Sequence, residues 1–394
     1  MMKKTLLATA LIGLFASQTA FAADETQELR KVIKQQQKVL KDLEKRLQLT
    51  EKRVEQTADV VDSASTNSAT TIGGYGELHY NNISDNKDSS NDKKELDFHR
   101  FVLFVGHEFN DNTRFFSELE VEHSISGEGK KGEVELEQAY IEHDFNNMFT
   151  GKAGLFLIPV GIINETHEPP AFYGVERNPV EKNILPATWW EGGIALNVKA
   201  APGLSFDGAI TSGLAVETTG NKAYNIRSGR QKVSKAKADD LAYTARVKYT
   251  AVPGLELAAT AQYQSDLTQG AAGVDTASAI LLSTHVIYSI QGFTIKALYA
   301  QWDIDGIEAK AIGNDEQNGW YIEPSYRIND SLGLFARYNE YDNQAGNNAD
   351  TNITQTNVGI NYWLHENVVL KADYETRGGA KDADGFNLGV GYQF

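Results

Sequence analysis

The chain has 394 residues, a formal net charge of −16, a mean hydropathy of −0.39 and no cysteine. The acidity disfavours nucleic acid as a partner, because phosphate contacts need a basic surface, and the hydropathy excludes a bundle of membrane helices. Without cysteine there is no disulfide framework, so the fold rests on burial alone or on a membrane acting as apolar solvent.

Residues 1–22, MMKKTLLATALIGLFASQTAFA, run from Lys3 and Lys4 through a short apolar core to Ala20-Phe21-Ala22. That order predicts a secretory signal peptide, since the core is shorter than the roughly 20 residues a membrane helix needs. Residues 23–61 contain no Gly, Pro or aromatic residue. Ile33, Leu40, Leu47, Val54 and Val61 recur at one heptad position, and Leu29, Gln36, Leu43, Thr50 and Thr57 at the other. This seam predicts an N-terminal α-helical coiled coil, and hence self-association. Residues 62–71, DSASTNSATT, are small and polar and read as a linker.

From residue 72 to 394 the period becomes two. WEGGIALNVKA (190–200) carries Trp190, Ile194, Leu196 and Val198 on one side and Glu191, Asn197 and Lys199 on the other. LAYTARVKYT (241–250) and VVLKADYETR (368–377) read the same way. Each such segment has the length of about ten residues that crosses a bilayer at a tilt. Short turns, such as Asn110-Asp111-Asn112, Ala201-Pro202-Gly203 and His365-Glu366-Asn367, alternate with long polar loops near 82–94, 158–188, 214–239 and 303–317. The pattern predicts an all-β fold, a transmembrane antiparallel β-barrel of about 16 strands, with the short turns in the periplasm. Pro324, in YIEPSYRI, removes a ladder donor and predicts a bulge or a nearby strand end. In the last segment, GFNLGVGYQF, Phe386, Leu388, Val390 and Tyr392 should face lipid, and Asn387, Gly389, Gly391 and Gln393 the lumen. Closure requires that segment to pair with the first, IGGYGELHY.

GGYGELHYNN (73–82), FHRFVLFVGHEFNDNTRFFSELEVEHS (98–124), LEQAYIEHDF (136–145) and GKAGLFLIPVGI (151–162) resemble the phosphate-selective porin O/P family of Gram-negative bacteria. The resemblance implies sixteen strands, a homotrimer in the outer membrane, and a third long loop folded inward to narrow a pore for small hydrophilic solutes or ions. That loop, 158–188, holds five of the eight prolines: Pro159, Pro169, Pro170, Pro179 and Pro186. Proline restricts the backbone, which suits a fixed constriction bearing Glu165, His167, Glu168, Glu176, Arg177, Glu181 and Lys182.

Phosphate-selecting members of that family carry a ladder of arginines down the pore wall. The lumen faces expected here bear Arg100, Arg114, Lys152, Lys199, Arg246, Lys248, Lys296, Arg327, Arg337 and Lys371. They bear as many carboxylates, among them Glu77, Glu118, Glu120, Glu142, Asp207, Glu323 and Asp373, so there is no clean ladder. Loop 214–239 adds Lys222, Arg227, Arg230, Lys232, Lys235 and Lys237, a basic rim that would steer anions or hold lipopolysaccharide phosphates.

Catalytic signatures are missing. There is no G-x-S-x-G, no H-E-x-x-H and no cysteine for zinc, and GEGKKG (127–132) lacks the spacing of a phosphate loop. Glu77 and His79 share a strand face, which suits a wet lumen wall or, with a third ligand, a metal. The expectation is a porin with no catalytic, cofactor or metal site and a modest anion preference. The competing class is an envelope tether or adhesin that uses the barrel as anchor and the coiled coil as a periplasmic stalk.

Overall fold

The computed structural model describes residues 69–394. The expected signal peptide, coiled coil and most of the linker lie outside the described residues.

Sixteen strands form one closed antiparallel sheet. They are β1 Thr70–Asp85, β2 Lys93–Asn110, β3 Thr113–Glu122, β4 Val134–Asp144, β5 Phe149–Leu157, β6 Trp190–Ala201, β7 Leu204–Thr211 and β8 Ala242–Tyr249. They continue with β9 Leu255–Gln264, β10 Ser278–Ile290, β11 Phe293–Asp305, β12 Glu316–Arg327, β13 Leu332–Asp342, β14 Ile353–His365, β15 Val368–Gly379 and β16 Ala383–Gln393. Each strand pairs with its sequence neighbours, and β1 pairs with β16. The seam runs from Tyr75 opposite Gln393 to Asp85 opposite Ala383, and Gly74 and Phe394 exchange backbone hydrogen bonds of 2.9 Å in both directions. Two residues of the expected linker, Thr70 and Thr71, belong to β1.

The wall is inside-out relative to a water-soluble protein, as alternation demands when one face meets lipid. In β16, Phe386 and Leu388 are exposed while Asn387 is buried; in β9, Leu257 and Tyr263 point outward and Thr260, Gln262 and Gln264 inward. Among the described residues no helix is long and apolar enough to cross a membrane. Short turns close one end. Between β10 and β11 a two-residue turn places Gln291 (φ 49°) and Gly292 (φ 86°) in left-handed conformations, the geometry whose twist matches paired strands. Pro324 lies near the end of β12 and makes no bulge: register is the same at Ile322↔Tyr338 and Ser325↔Phe335, and only the ladder between those pairs is interrupted.

The long loops 158–189 and 212–241 turn into the barrel and bring a second kind of interior with them. Ile158, Val180, Ile184, Leu185 and Trp189 of the first loop pack with Leu214, Tyr224 and Ile226 of the second. Leu281, Leu298, Trp302 and Tyr321 of β10–β12 complete this apolar core. Trp189 and Trp302 meet at 6.1 Å between ring centroids.

A lumen crossed by loop 158–189

Loop 158–189 is pinned where it enters and leaves the wall. The Asn164 amide donates to the carbonyls of Ile158 (2.8 Å) and Trp189 (3.0 Å), and its oxygen accepts from the Trp189 N–H (2.6 Å). Sequence reasoning did not single out Asn164, since a lone Asn in a loop usually marks only a turn. From that closed neck the loop crosses to the far wall. There Arg337 on β13 donates to the carbonyls of Tyr173 (3.3 Å) and Glu176 (3.2 Å), and Asn361 on β14 donates to Phe172 O (3.0 Å). Asp373 on β15 accepts from the Val175 N–H at 2.8 Å. Buried backbone groups of a loop need partners, and the wall's polar inner face supplies them.

The seven charged residues expected at a constriction do not form one ring. Glu165 reaches the wall as a partner of Arg246. His167 is buried between Asn164 O (3.1 Å) and Glu118 (3.2 Å), and Arg177 donates to His167 O at 3.3 Å. Glu168 is half-buried ahead of the turn Pro169–Ala171. Lys182 is exposed. Glu176 accepts from Asn81 and pairs with His79, each at 3.1 Å. Burial alone would raise the Glu176 carboxyl, but the hydrogen bond and charge of His79 outweigh it and hold the group well below the usual carboxylate range.

Glu181 is a correction. It is 1 % exposed; one carboxylate oxygen accepts from the N–H groups of Ile162 and Ile163 (2.7 Å each), and the other from the Tyr321 hydroxyl (2.8 Å). It organises the loop backbone and lines no water path.

Six of the ten expected wall cations are matched by carboxylates. Arg100 contacts Glu77 (2.8 Å) and Glu120 (3.4 Å), Arg114 contacts Glu142 and Asp144 (2.7 Å), and Lys152 shares Glu142 (3.3 Å). Arg246 holds Asp207 (2.8 Å) besides Glu165, while Lys296 and Arg337 both face Glu323, at 3.9 and 3.2 Å. Arg327 stacks over Trp363 at 3.8 Å near the short-turn end, and Lys248 is half-buried on β8. Lys371 sits 3.5 Å over the ring of Phe172, another tie between wall and loop. A polar cavity of about 830 Å³ opens below the loop toward the short turns, lined by Arg114, Glu142, Lys152, Glu165, Asp207 and Arg246.

The basic rim divides. Lys222, Lys235 and Lys237 are exposed. Arg227 instead donates to Lys182 O (2.6 Å), Arg230 donates to Pro186 O (3.1 Å) and Thr188 O (2.5 Å), and Lys232 pairs with Glu133 (2.7 Å) and Glu135. These three are therefore withdrawn from the rim, Arg227 and Arg230 by carbonyls of loop 158–189 and Lys232 by the carboxylates of Glu133 and Glu135. The sequence does carry a trace of this: Leu214, Tyr224 and Ile226 are more apolar than a solvated loop needs.

A profile of the Gram-negative porin family matches residues 192–382. An uncharacterised protein of Aquifex aeolicus (strain VF5) is 31% identical over 363 residues, covering 82% of this chain and 80% of that one. Among solved structures, an anion-selective porin from Comamonas acidovorans superposes with a TM-score of 0.59 at 13% identity, covering 83% of this chain and 100% of that one. The outer membrane channel DcaP of Acinetobacter baumannii gives 0.57 at 15%, covering 82% and 97%. The trimer form of OmpT from Vibrio cholerae gives 0.54 at 13%, covering 83% and 100%. At these identities the structural likeness is one of fold.

Proposed function

The chain belongs to the Gram-negative porins of the outer membrane, and from that premise we propose a passive diffusion pore for small hydrophilic solutes and ions, narrowed by loop 158–189. The observation that carries this reading is the loop itself, tied to opposite walls over an open polar cavity. Selectivity is weak. Six of the ten expected wall cations already face a carboxylate, so the lumen field is largely short-ranged and of mixed sign. A slight anion preference rests on the exposed Lys222, Lys235 and Lys237. Phosphate selectivity of the O/P kind finds no support in this pairing.

The protein is a homotrimer in this reading, supported by the trimeric form of one fold neighbour and by the heptads of 23–61. Those residues would lie in the periplasm, on the side of the short turns and of both barrel ends. Recording from refolded protein in planar bilayers decides the main point. Ohmic open steps are expected; a folded but electrically silent barrel would overturn the pore and leave the tether reading.

A further inference from the structure

The Glu77–His79 pair singled out in the sequence is consumed by ion pairing: Glu77 holds Arg100 at 2.8 Å and His79 at 3.2 Å, while His79 also holds Glu176. One strand away lies a set in which a single carboxylate, Asp97, is shared by two imidazoles, His99 and His123. We propose that Asp97, His99 and His123 form a binding site for one divalent transition-metal ion of the Zn²⁺ or Cu²⁺ class.

A bulge builds the site. Register in the β1–β2 pair passes from Glu77↔Arg100 to Leu78↔Phe98, which leaves His99 as the extra residue. Asp97 faces inward on the same strand, and the bulge re-aims His99 toward it. His123 follows β3 in a left-handed conformation (φ 53°), with its N–H donating to His99 O at 3.3 Å, and this turns its ring back over β2. One Asp97 oxygen lies 3.0 Å from His99 Nδ1 and 2.8 Å from His123 Nδ1.

A carboxylate oxygen and two imidazole nitrogens, one from each of three side chains, lie within 4.8 Å of one another. A tetrahedral ion with bonds of about 2.1 Å separates its ligands by about 3.4 Å, so the two nitrogen–carboxylate separations must open from 3.0 and 2.8 Å, and the two nitrogens, within 4.8 Å of each other, must settle at that same spacing. Two imidazoles and a carboxylate suit zinc or copper and leave at least one position for water. The three side chains are 22 to 34 % exposed, which gives an ion a way in. His79 stacks on His99 at 4.7 Å with an interplanar angle of 16°, and this holds the ring in place without using a ligand position.

The test uses untagged full-length protein, folded in detergent and stripped with EDTA. Calorimetry with ZnCl₂ should show one equivalent bound with a micromolar or tighter Kd, and Cu²⁺ electron paramagnetic resonance should show nitrogen coupling. His123→Asn keeps a residue tolerant of positive φ, and should weaken binding by about tenfold or more. The double variant H99N/H123N should abolish it with heat-modifiability of the barrel unchanged, and His79→Asn should retain it. Absent binding in the parent protein at tens of micromolar metal, or full binding in the double variant, would overturn the assignment. So would loss in His79→Asn alone, because the ligands would then be the deeper set His79, His99 and Glu176.

Discussion

The two sides of the barrel interior hold loop 158–189 by different physics. Against β10–β12 the loop is embedded in an apolar core of Trp189, Ile184, Leu185, Trp302 and Tyr321, the kind of contact that stabilises water-soluble domains. Against β1 and β13–β15 it is held by hydrogen bonds and ion pairs from Arg337, Asn361, Asp373 and His79. Apolar burial is non-directional and holds mass in place. Polar anchors in a wet lumen add little net energy each, but they fix where a backbone runs. The difference suggests that one side retains the loop and the other sets the aperture.

Trp189→Ala should break the retaining side most strongly. Emptying that site costs about 3–5 kcal/mol of loop-core stability, and the sheet ladder is untouched. Larger, noisier single-channel currents are expected with unchanged β-sheet circular dichroism; unaltered currents would show that the core is not what retains the loop. Glu181→Gln should come next, at about 1–3 kcal/mol, because its amide nitrogen would meet a backbone donor or leave one unmet. Thermal unfolding and current noise report it.

On the aperture side the probe is pH. Glu176 is held below the usual carboxylate range, so its contribution is present above about pH 4.3 and is lost as the pH falls below that value. Open-channel noise should therefore grow on acidification, and Glu176→Gln should be noisy already at neutral pH with little further response. The smallest effect belongs to the rim. Changing Lys222, Lys235 and Lys237 together to Gln should move the reversal potential slightly toward cations at 0.1 M salt. The shift should vanish at 1 M, where the screening length falls to about 3 Å.

The wall was legible residue by residue, because a strand's two faces meet two solvents and alternation records which is which. Phe386, Asn387 and Leu388 lie as that rule places them. The loops were legible only in part. Charge in a loop reads as solvated, yet Arg227 and Arg230 spend theirs on carbonyls of another loop, and Glu181 spends its own on amides. No period marks such partners, since they are set by tertiary contact. The His99 bulge was hidden for a related reason: one extra residue between Phe98 and Arg100 shifts the alternation locally, and nothing in the composition announces it.

The seam between β1 and β16 joins residues 74 and 394. Until those two are brought together, both strands are bare edges, and bare edges recruit other chains. Distance along the chain costs little in equilibrium terms, since each doubling adds only about 0.6 kcal/mol of closure entropy. It costs time, because contacts so remote form late. Every other strand pair joins sequence neighbours and can form as a local hairpin, so closure at this one seam is the step that must wait for both strands.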